Sequence, residues 1–545
     1  TRRSSDLICI NINMNIEIDY SFKSKIDELN IQKIMKRKNP YLYRAKAMQN
    51  AAEIVDWING IIWSKALIYL CLGAGLFFSV LTRFVQVRQI KDMISLLIKG
   101  GSSAQGISSF QALAVSLSGR VGVGNIAGVA AAIGFGGPGA VFWMWLVAFL
   151  GASTAYVEST LGQIYKVEYQ GQYRGGPAFY FDKGLGQRWL GILFAIAAII
   201  SCGLFLPGIQ ANAVGNAFTQ ITGEGAIVFG NVGTYKLLAL VVIVTLLAVI
   251  IFGGIKRIAK FAEFVVPFMA AGYIVMALII VFINIDKLPG VISLIFADAF
   301  SPMAGLGAAI GWGVKRGVYS NEAGQGTGPH AAAAAEVEHP AQQGLVQAFS
   351  IYIDTLFVCS ATAFMILITG MYNVQGTLEA GQFIVQNVAA TAEIGSPAFT
   401  QMAVSTVFGG FGQIFVALAV FFFAFTTIVA YYYIAETNIT YLSYITKTPS
   451  LLFITKCFII LSVSYGVISA TGYIWGIGDI GVGLMAWINI IGIIVTYFIW
   501  KPTIKALRDY EQQQKAGVKE FTFDPVKLGI RNATFWEDRI KNKQN

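Results

Sequence analysis

Residues Ile414–Tyr433 read IFVALAVFFFAFTTIVAYYY, twenty positions without one charge. A helix needs about 20 apolar residues to cross the hydrocarbon core of a bilayer, and this run supplies them. Similar runs occupy Ala66–Leu81, Leu237–Phe252, Phe264–Ile283 and Trp487–Trp500. Inside lipid an unpaired peptide group has no water to turn to, so a chain with several such runs folds as a bundle of helices. Composition agrees: 12% of residues are charged, against about 25% in soluble domains, and the mean hydropathy is +0.63. The expected fold class is therefore an all-α polytopic membrane protein in contact with the lipid bilayer.

Several classes of function drop out. The five cysteines (Cys9, Cys71, Cys202, Cys359, Cys457) have no CxxC spacing, and only His330 and His339 are available as imidazoles. Neither a disulfide frame nor a histidine metal site is expected. The net charge of +10 comes from lysines and arginines in loops and tails, which is how topology signals are distributed, so no nucleic-acid partner is read from it. No HExxH or Ser/His constellation suggests an enzyme, and no cofactor is expected.

About eleven spans are expected, at roughly 65–84, 107–135, 138–165, 188–215, 236–254, 260–284, 303–337, 341–369, 412–435, 452–470 and 478–500. The second and seventh differ from the rest. GRVGVGN (Gly119–Asn125) interrupts one and VYSNEAGQGTG (Val318–Gly328) the other. Glycine-interrupted segments at matching positions of two halves point to a carrier built from inverted repeats. Setting the first span aside leaves five plus five, each set beginning with a broken helix. Gly122-Val-Gly124-Asn-Ile-Ala127 also fits a dinucleotide fingerprint, but that motif needs a strand before it and an acid about 20 residues on, and Phe142 stands there.

Loop charges predict orientation. With the 85–106 loop inside (Arg88, Lys91, Lys99), the other inner segments hold Lys166, Arg174, Lys183, Arg188, Lys256, Arg257, Lys260 and Lys447. The opposite loops 216–235, 370–411 and 471–477 carry no Lys or Arg, and 285–302 carries only Lys287. The positive-inside rule then puts the basic tail 501–545 in the cytoplasm and the amino terminus outside a cell membrane. The tail is expected to contact the anionic leaflet or to be solvated. Residues 1–47 are polar and basic, the wrong charge for an exterior segment. They read as an extension ahead of a native start near Met48, with 48–500 as the transmembrane domain.

A broken helix frees carbonyls at the end of its first half and N–H groups at the start of its second. The carbonyl end suits Na⁺ or an ammonium and the N–H end a carboxylate. Two facing breaks make a receptor for a zwitterion plus a cation, and glycines at 122, 124, 324, 326 and 328 let main chain approach the ligand. Ionisable residues within spans (Arg120, Glu158, Lys315, Arg316, Glu322, Asp354) are functional candidates by default. Arg120 and Glu322 lie beside the two breaks, placed to pair with one another or with Glu158 or Asp354, as a gate or as structure.

GGPGAVFWMWLVAFLG (Gly136–Gly151) resembles the signature of the alanine or glycine:cation symporter family. KRGVYSNEAGQGTGPHAAAAA (Lys315–Ala335) is similar to that family's second characteristic stretch. The resemblance runs from Met48 to about Arg508. It implies a LeuT-type fold and sodium-coupled uptake of small neutral amino acids such as alanine and glycine. It also implies substrate contacts at Gly122, Gly124 and Asn125, at Gln210 in PGIQANAVGN with Asn212 a weaker candidate, and at Tyr319, Ser320, Asn321 and Gly324. This chain has VGVGN where the family pattern resembles VGTGN, so Val123 lacks a hydroxyl. Folds of this type resemble one another in holding Na⁺ between adjacent hydroxyls and carbonyls of the first broken helix. That assigns Thr426 and Thr427 with the carbonyls of Ser118 and Val121, and Thr427 and Tyr431 to the pocket wall. The alternatives are a back-bonded threonine pair, a proton-coupled carrier of another small zwitterion, and an ion channel.

Overall fold

The computed structural model describes residues 40–98, 101–223, 225–229, 232–301, 306–375, 382–448, 452–469 and 471–544. Helix dominates these residues. Seven helices are long and apolar enough to cross a membrane, or up to eight with one bent pair counted: Ala140–Ile164, Arg188–Thr222, Thr234–Ile251, Gly254–Ile283, Pro340–Thr369, Gly410–Thr446 and Gly472–Trp500 are the seven. Shorter apolar helices include Ala127–Gly136 and Leu452–Ile468. The described residues up to Gly60 and those from Ile61 onward fall into separate compact units, and residues 1–39, most of the expected 1–47 extension, lie outside the described part.

The outer helices are inside-out relative to those of a soluble protein. Gly254–Ile283 turns Phe264, Phe268 and Phe282 outward, each more than three-quarters exposed, and buries Ile258, Ala262, Tyr273 and Ile280 on its other side. Exposed apolar side chains of that size on successive turns suit hydrocarbon, not water. Polar side chains collect at the centre instead. Asn125, Glu158, Gln210, Asn321, Asp354 and Thr427 are all 1% exposed or less.

Both expected interruptions are present. Helix Ser109–Arg120 gives way to a 3₁₀ turn, Val123–Asn125, and resumes as Ala127–Gly136. Helix Leu306–Asn321 stops, and Gly328–Ala334 begins after six intervening residues. The start of the first broken span is tied to the end of the second: Ile107 N donates to Ala334 O at 3.0 Å and Glu336 N to Ile107 O at 2.8 Å.

Among the described residues three two-stranded antiparallel sheets lie in connecting segments, which the all-helical reading did not include. In one, Val167–Tyr169 pairs antiparallel with Gln172–Arg174. Gln170 and Gly171 both have positive φ (54° and 69°), the two-residue turn whose twist suits a hairpin. Two stretches of π-helix, Ser201–Phe205 and Tyr352–Cys359, also depart from plain spans; such widened turns gather at functional sites.

The carboxy-terminal segment is packed, not solvated. Helix Pro502–Lys515 buries Ile504, Leu507 and Tyr510, and Trp536 on helix Thr534–Gln544 is 2% exposed. The expectation of leaflet contact or solvation did not include this docking, because the segment's charge is high and the apolar residues that dock are few and spaced widely.

Candidate functional site

Helix Ser109–Arg120 starts in a capping box, Ser108 Oγ accepting from Gln111 N and Gln111 Oε1 from Ser108 N, each at 3.1 Å. It ends where Val121 leaves helical geometry (φ −77°, ψ 82°). The N–H groups released there find side chains. Gly122 N donates to Asn125 Oδ1 at 2.8 Å, and Val123 N donates to Gln210 Oε1 at 3.0 Å. Only glycine fits at 122: a Cβ there would stand 2.5 Å from Thr427 Oγ1 and 3.0 Å from Gln210 Oε1.

The second break turns through three left-handed residues, Glu322 (φ 58°), Gly324 (82°) and Gly326 (80°). For glutamate that conformation is strained, a feature held in place only by its surroundings. Glu158, from Ala140–Ile164, supplies much of the hold. Its carboxylate accepts from Gly324 N at 3.3 Å, Gly326 N at 3.1 Å and Asn489 Nδ2 at 2.7 Å. Asn489 donates as well to Gly324 O at 2.9 Å, and Thr327 Oγ1 to Glu322 Oε2 at 2.8 Å.

The breaks face each other at van der Waals distance. A Cβ on Gly124 would lie 3.1 Å from Tyr319 Cδ1 and 3.2 Å from Ser320 Cα. Asp354, on the π-helical stretch, joins them. Its Oδ1 accepts from Asn125 Nδ2 at 2.7 Å and from Ser320 Oγ at 3.1 Å, and its Oδ2 accepts from Thr355 Oγ1 at 2.7 Å. Asn321 Nδ2 reaches the Thr355 hydroxyl at 3.3 Å. Gly122, Gly124, Asn125, Gln210, Tyr319, Ser320 and Asn321 are thus brought together, and Gly324 sits at the Glu158 end of the same seam.

The two threonines part company. Thr427 Oγ1 donates to Ser118 O at 2.7 Å across the helices, beside its bond to Phe423 O at 2.9 Å. Thr426 Oγ1 bonds back to Phe422 O and Phe423 O at 2.9 and 3.0 Å and lies 3.8 Å from Met269 Sδ. Val121 contributes its turn geometry to the same end of the first helix. Tyr431 is buried with its phenol facing Glu322. Asn212 points elsewhere, donating to Gly466 O and Ser469 O at 2.9 and 2.8 Å; it is an interhelical tie.

Arg120 donates to Gln347 Oε1 at 3.1 Å and to Ser350 Oγ. No ion pair forms on it within 4 Å among the described residues, although Glu322, Glu158 and Asp354 all surround it. Lys315 and Arg316 converge on a residue not singled out from sequence, Asp479: Lys315 Nζ at 2.7 Å, Arg316 Nη1 and Nη2 at 3.0 and 2.7 Å. Trp312, Tyr319 and Trp475 lie around the Arg316 guanidinium at 5.2, 5.5 and 4.6 Å. An acid inside the apolar run GIGDIGVG was a readable signal. Among the described residues no three His, Cys, Asp or Glu side chains cluster as a metal site. The donors at the first break are carbonyl and hydroxyl oxygens, a set suited to a hard cation.

A chain that breaks two spans and faces the breaks across a buried polar seam has a known counterpart. The sequence profile of the sodium:alanine symporter family matches residues 48–525. This chain belongs to that family. The protein YrbD of Bacillus subtilis (strain 168) is 55% identical over 490 residues, covering 89% of this chain and 98% of its own. The sodium/proton-dependent alanine carrier protein of Bacillus sp. (strain PS3) is 49% identical over 453 residues, covering 82% and 98%. A short second profile match, to the type II restriction endonuclease EcoO109I, falls on residues 11–70 and overlaps the first. Among solved structures, MhsT in complex with L-phenylalanine superposes with a TM-score of 0.54 at 13% identity, covering 80% of this chain and 97% of that one. That likeness is one of fold, the LeuT type. Membership in the symporter family makes this a multi-pass membrane carrier that couples amino-acid transport to a cation.

Proposed function

We propose that this symporter imports small neutral amino acids, alanine and glycine among them, together with Na⁺, by alternating access around the seam between its two breaks. One observation carries the reading: Asp354 holds Asn125 of one break and Ser320 of the other in the same hydrogen-bonded cluster. Ligands that both breaks touch couple the two halves of the bundle. The name of the Bacillus sp. PS3 relative, an alanine carrier, supports the substrate class.

In this reading eleven spans form an extra amino-terminal helix plus five and five in opposite orientation, with the carboxy terminus in the cytoplasm. Na⁺ sits where Thr427 meets the Ser118 carbonyl, beside Val121, with Thr426 as the neighbouring hydroxyl. The amino acid lies against Gly122, Gly124, Asn125 and Gln210 on one side and Tyr319, Ser320, Asn321 and Gly324 on the other, with Tyr431 as wall. No covalent step is involved. A charge crossing the membrane gains about 2.3 kcal/mol per 100 mV, and a tenfold ion gradient adds about 1.4 kcal/mol. One Na⁺ therefore sustains an amino-acid gradient of about several hundredfold.

A proton-coupled version is the second reading, and the buried carboxyls of Glu158, Glu322 and Asp354 favour it. Uptake of labelled alanine into proteoliposomes under a Na⁺ gradient, a proton gradient or neither separates the two. Accumulation with Na⁺ alone is expected, and Asn125→Ala should abolish it. Accumulation without any Na⁺ would overturn the sodium assignment. Equilibration without accumulation would mean a channel.

A further inference from the structure

Alternating access requires the two broken spans to separate at their inner ends, where Ile107 and Ala334–Glu336 exchange backbone hydrogen bonds. The carboxy-terminal segment sits on this junction. Lys166 is fully buried and donates to Ala335 O at 2.9 Å. The rings of Tyr173, Phe535 and Trp536 surround its ammonium at 4.2, 4.5 and 5.4 Å. Two of those rings belong to the terminal helix Thr534–Gln544. Trp536 Nε1 donates to Gln163 O at 2.9 Å, while the Gln163 amide donates to Ala335 O at 3.0 Å. Arg539 pairs with Glu336 at 2.9 Å and donates to Val337 O at 3.0 Å. Glu336 also accepts from Tyr173 OH at 2.8 Å.

Lys166, Gln163 and Glu336, which steady the end of the second broken span, are thus held in turn by the tail. The anchorage continues on both sides. Asn532 Nδ2 donates to Lys183 O at 3.0 Å, Phe521 N to Glu338 Oε2 at 2.9 Å, and His339 Nε2 meets Asp509 Oδ2 at 3.3 Å. The terminal helix lies beyond residue 525, where the family match stops. A flexible basic tail would have no reason to bury a tryptophan and a lysine here.

We propose that Phe521–Gln544 is a latch on the inner gate: it must leave Lys166, Gln163 and Glu336 before the broken spans part on that face. The inference rests on the transport reading above for its direction, and its test is separable from it. A Tyr173→Cys/Phe535→Cys protein joins the latch to its seat where the two rings now stack edge to face, with centroids 5.0 Å apart. Oxidation should lower alanine uptake at least about tenfold, with substrate binding kept and reductant restoring the rate, if the tail must undock in each cycle. Each single cysteine variant under the same oxidant is the control. Equal uptake by the oxidised and reduced double variant would overturn the latch.

A second measurement does not depend on transport. Trp536→Ala and Arg539→Glu should each speed maleimide labelling of Ala334→Cys in inside-out vesicles by about tenfold, because the buried inner end opens more often. Unchanged labelling would also overturn the latch. If the parent protein took up no alanine at all, the transport reading would fail and labelling alone would decide the latch.

Discussion

Arg316 grips Asp479 with two parallel hydrogen bonds, 3.0 and 2.7 Å, and Lys315 closes on the same carboxylate at 2.7 Å. One acid thus answers two cations, with Arg316 and Asp479 3% and 2% exposed. The arrangement sits one turn before Tyr319 and Ser320, so it fixes the helix that delivers the second break to the seam.

The inequality of this cluster is testable. Asp479→Asn leaves the buried Arg316 and the partly exposed Lys315 without their anion, whereas Lys315→Met removes only the more exposed partner. Breaking a buried pair from one side costs about 3–5 kcal/mol. Asp479→Asn should therefore lower the thermal midpoint of the detergent-solubilised protein far more than Lys315→Met, with Arg316→Met between them. A larger drop for Lys315→Met would contradict the geometry.

Thr426 and Thr427 are chemically identical neighbours with different partners. Thr427→Val removes the donor to Ser118 O, and the Na⁺ concentration for half-maximal uptake should rise by about tenfold or more, about 1.4 kcal/mol. Thr426→Val removes a hydroxyl bonded to its own helix and should shift that concentration by only about twofold. A shift of only about twofold for Thr427→Val would remove it from the cation site.

Glycines at the break separate from glycines of the helix. At Gly122 an added methyl meets Thr427 and Gln210, whereas at Gly128 its nearest neighbour is 3.9 Å away. Gly122→Ala should cut uptake by about a hundredfold, as misplacement by an ångström does at other sites. Gly128→Ala lies within helix Ala127–Gly136 and should stabilise the protein by about 0.5–1 kcal/mol with transport kept. Transport by Gly122→Ala at the parent rate would mean that the break tolerates displacement.

The latch should respond to pH through Lys166, which burial pushes down from 10.5 to about 7 while Glu336 acts in the opposite sense and Arg539 in the same one. Undocked, the ammonium meets water and regains its ordinary value. Between pH 7 and 10.5 the undocked form then binds more protons, so docking strengthens as pH rises through that window and is independent of this group below it. The slope is bounded by about tenfold per pH unit. Protease cleavage of the tail should slow from pH 7 to 9, and Lys166→Met should flatten the profile. Cleavage that quickens with pH in the parent protein would contradict the assignment.

Much of this was legible before any coordinates. Glycines and polar residues inside apolar runs named the first break to within two residues and enclosed the second, which starts four residues after the expected Val318, because lipid leaves unpaired backbone nowhere else to go. Gln210, implied by the resemblance as a substrate contact, accepts from Val123 N at the first break, and its neighbour Asn212 turned away to Gly466. Helix periodicity puts residues two apart on different faces, so a shared motif does not give them a shared target. Span counting was harder to verify, since each broken span divides into helices too short to cross by themselves.

The apolar runs alone dictate a helical bundle, and the two interruptions alone dictate where it opens to polar chemistry, because both follow from local hydrogen bonding and transfer out of water. Tertiary structure decided which polar groups meet. Asp354 reached Asn125 from 229 positions away, Asp479 took Arg316 from 163 away, and Trp536 found Gln163 over 373. Such pairings depend on how helices stack in three dimensions, and spacing along a chain carries no record of it.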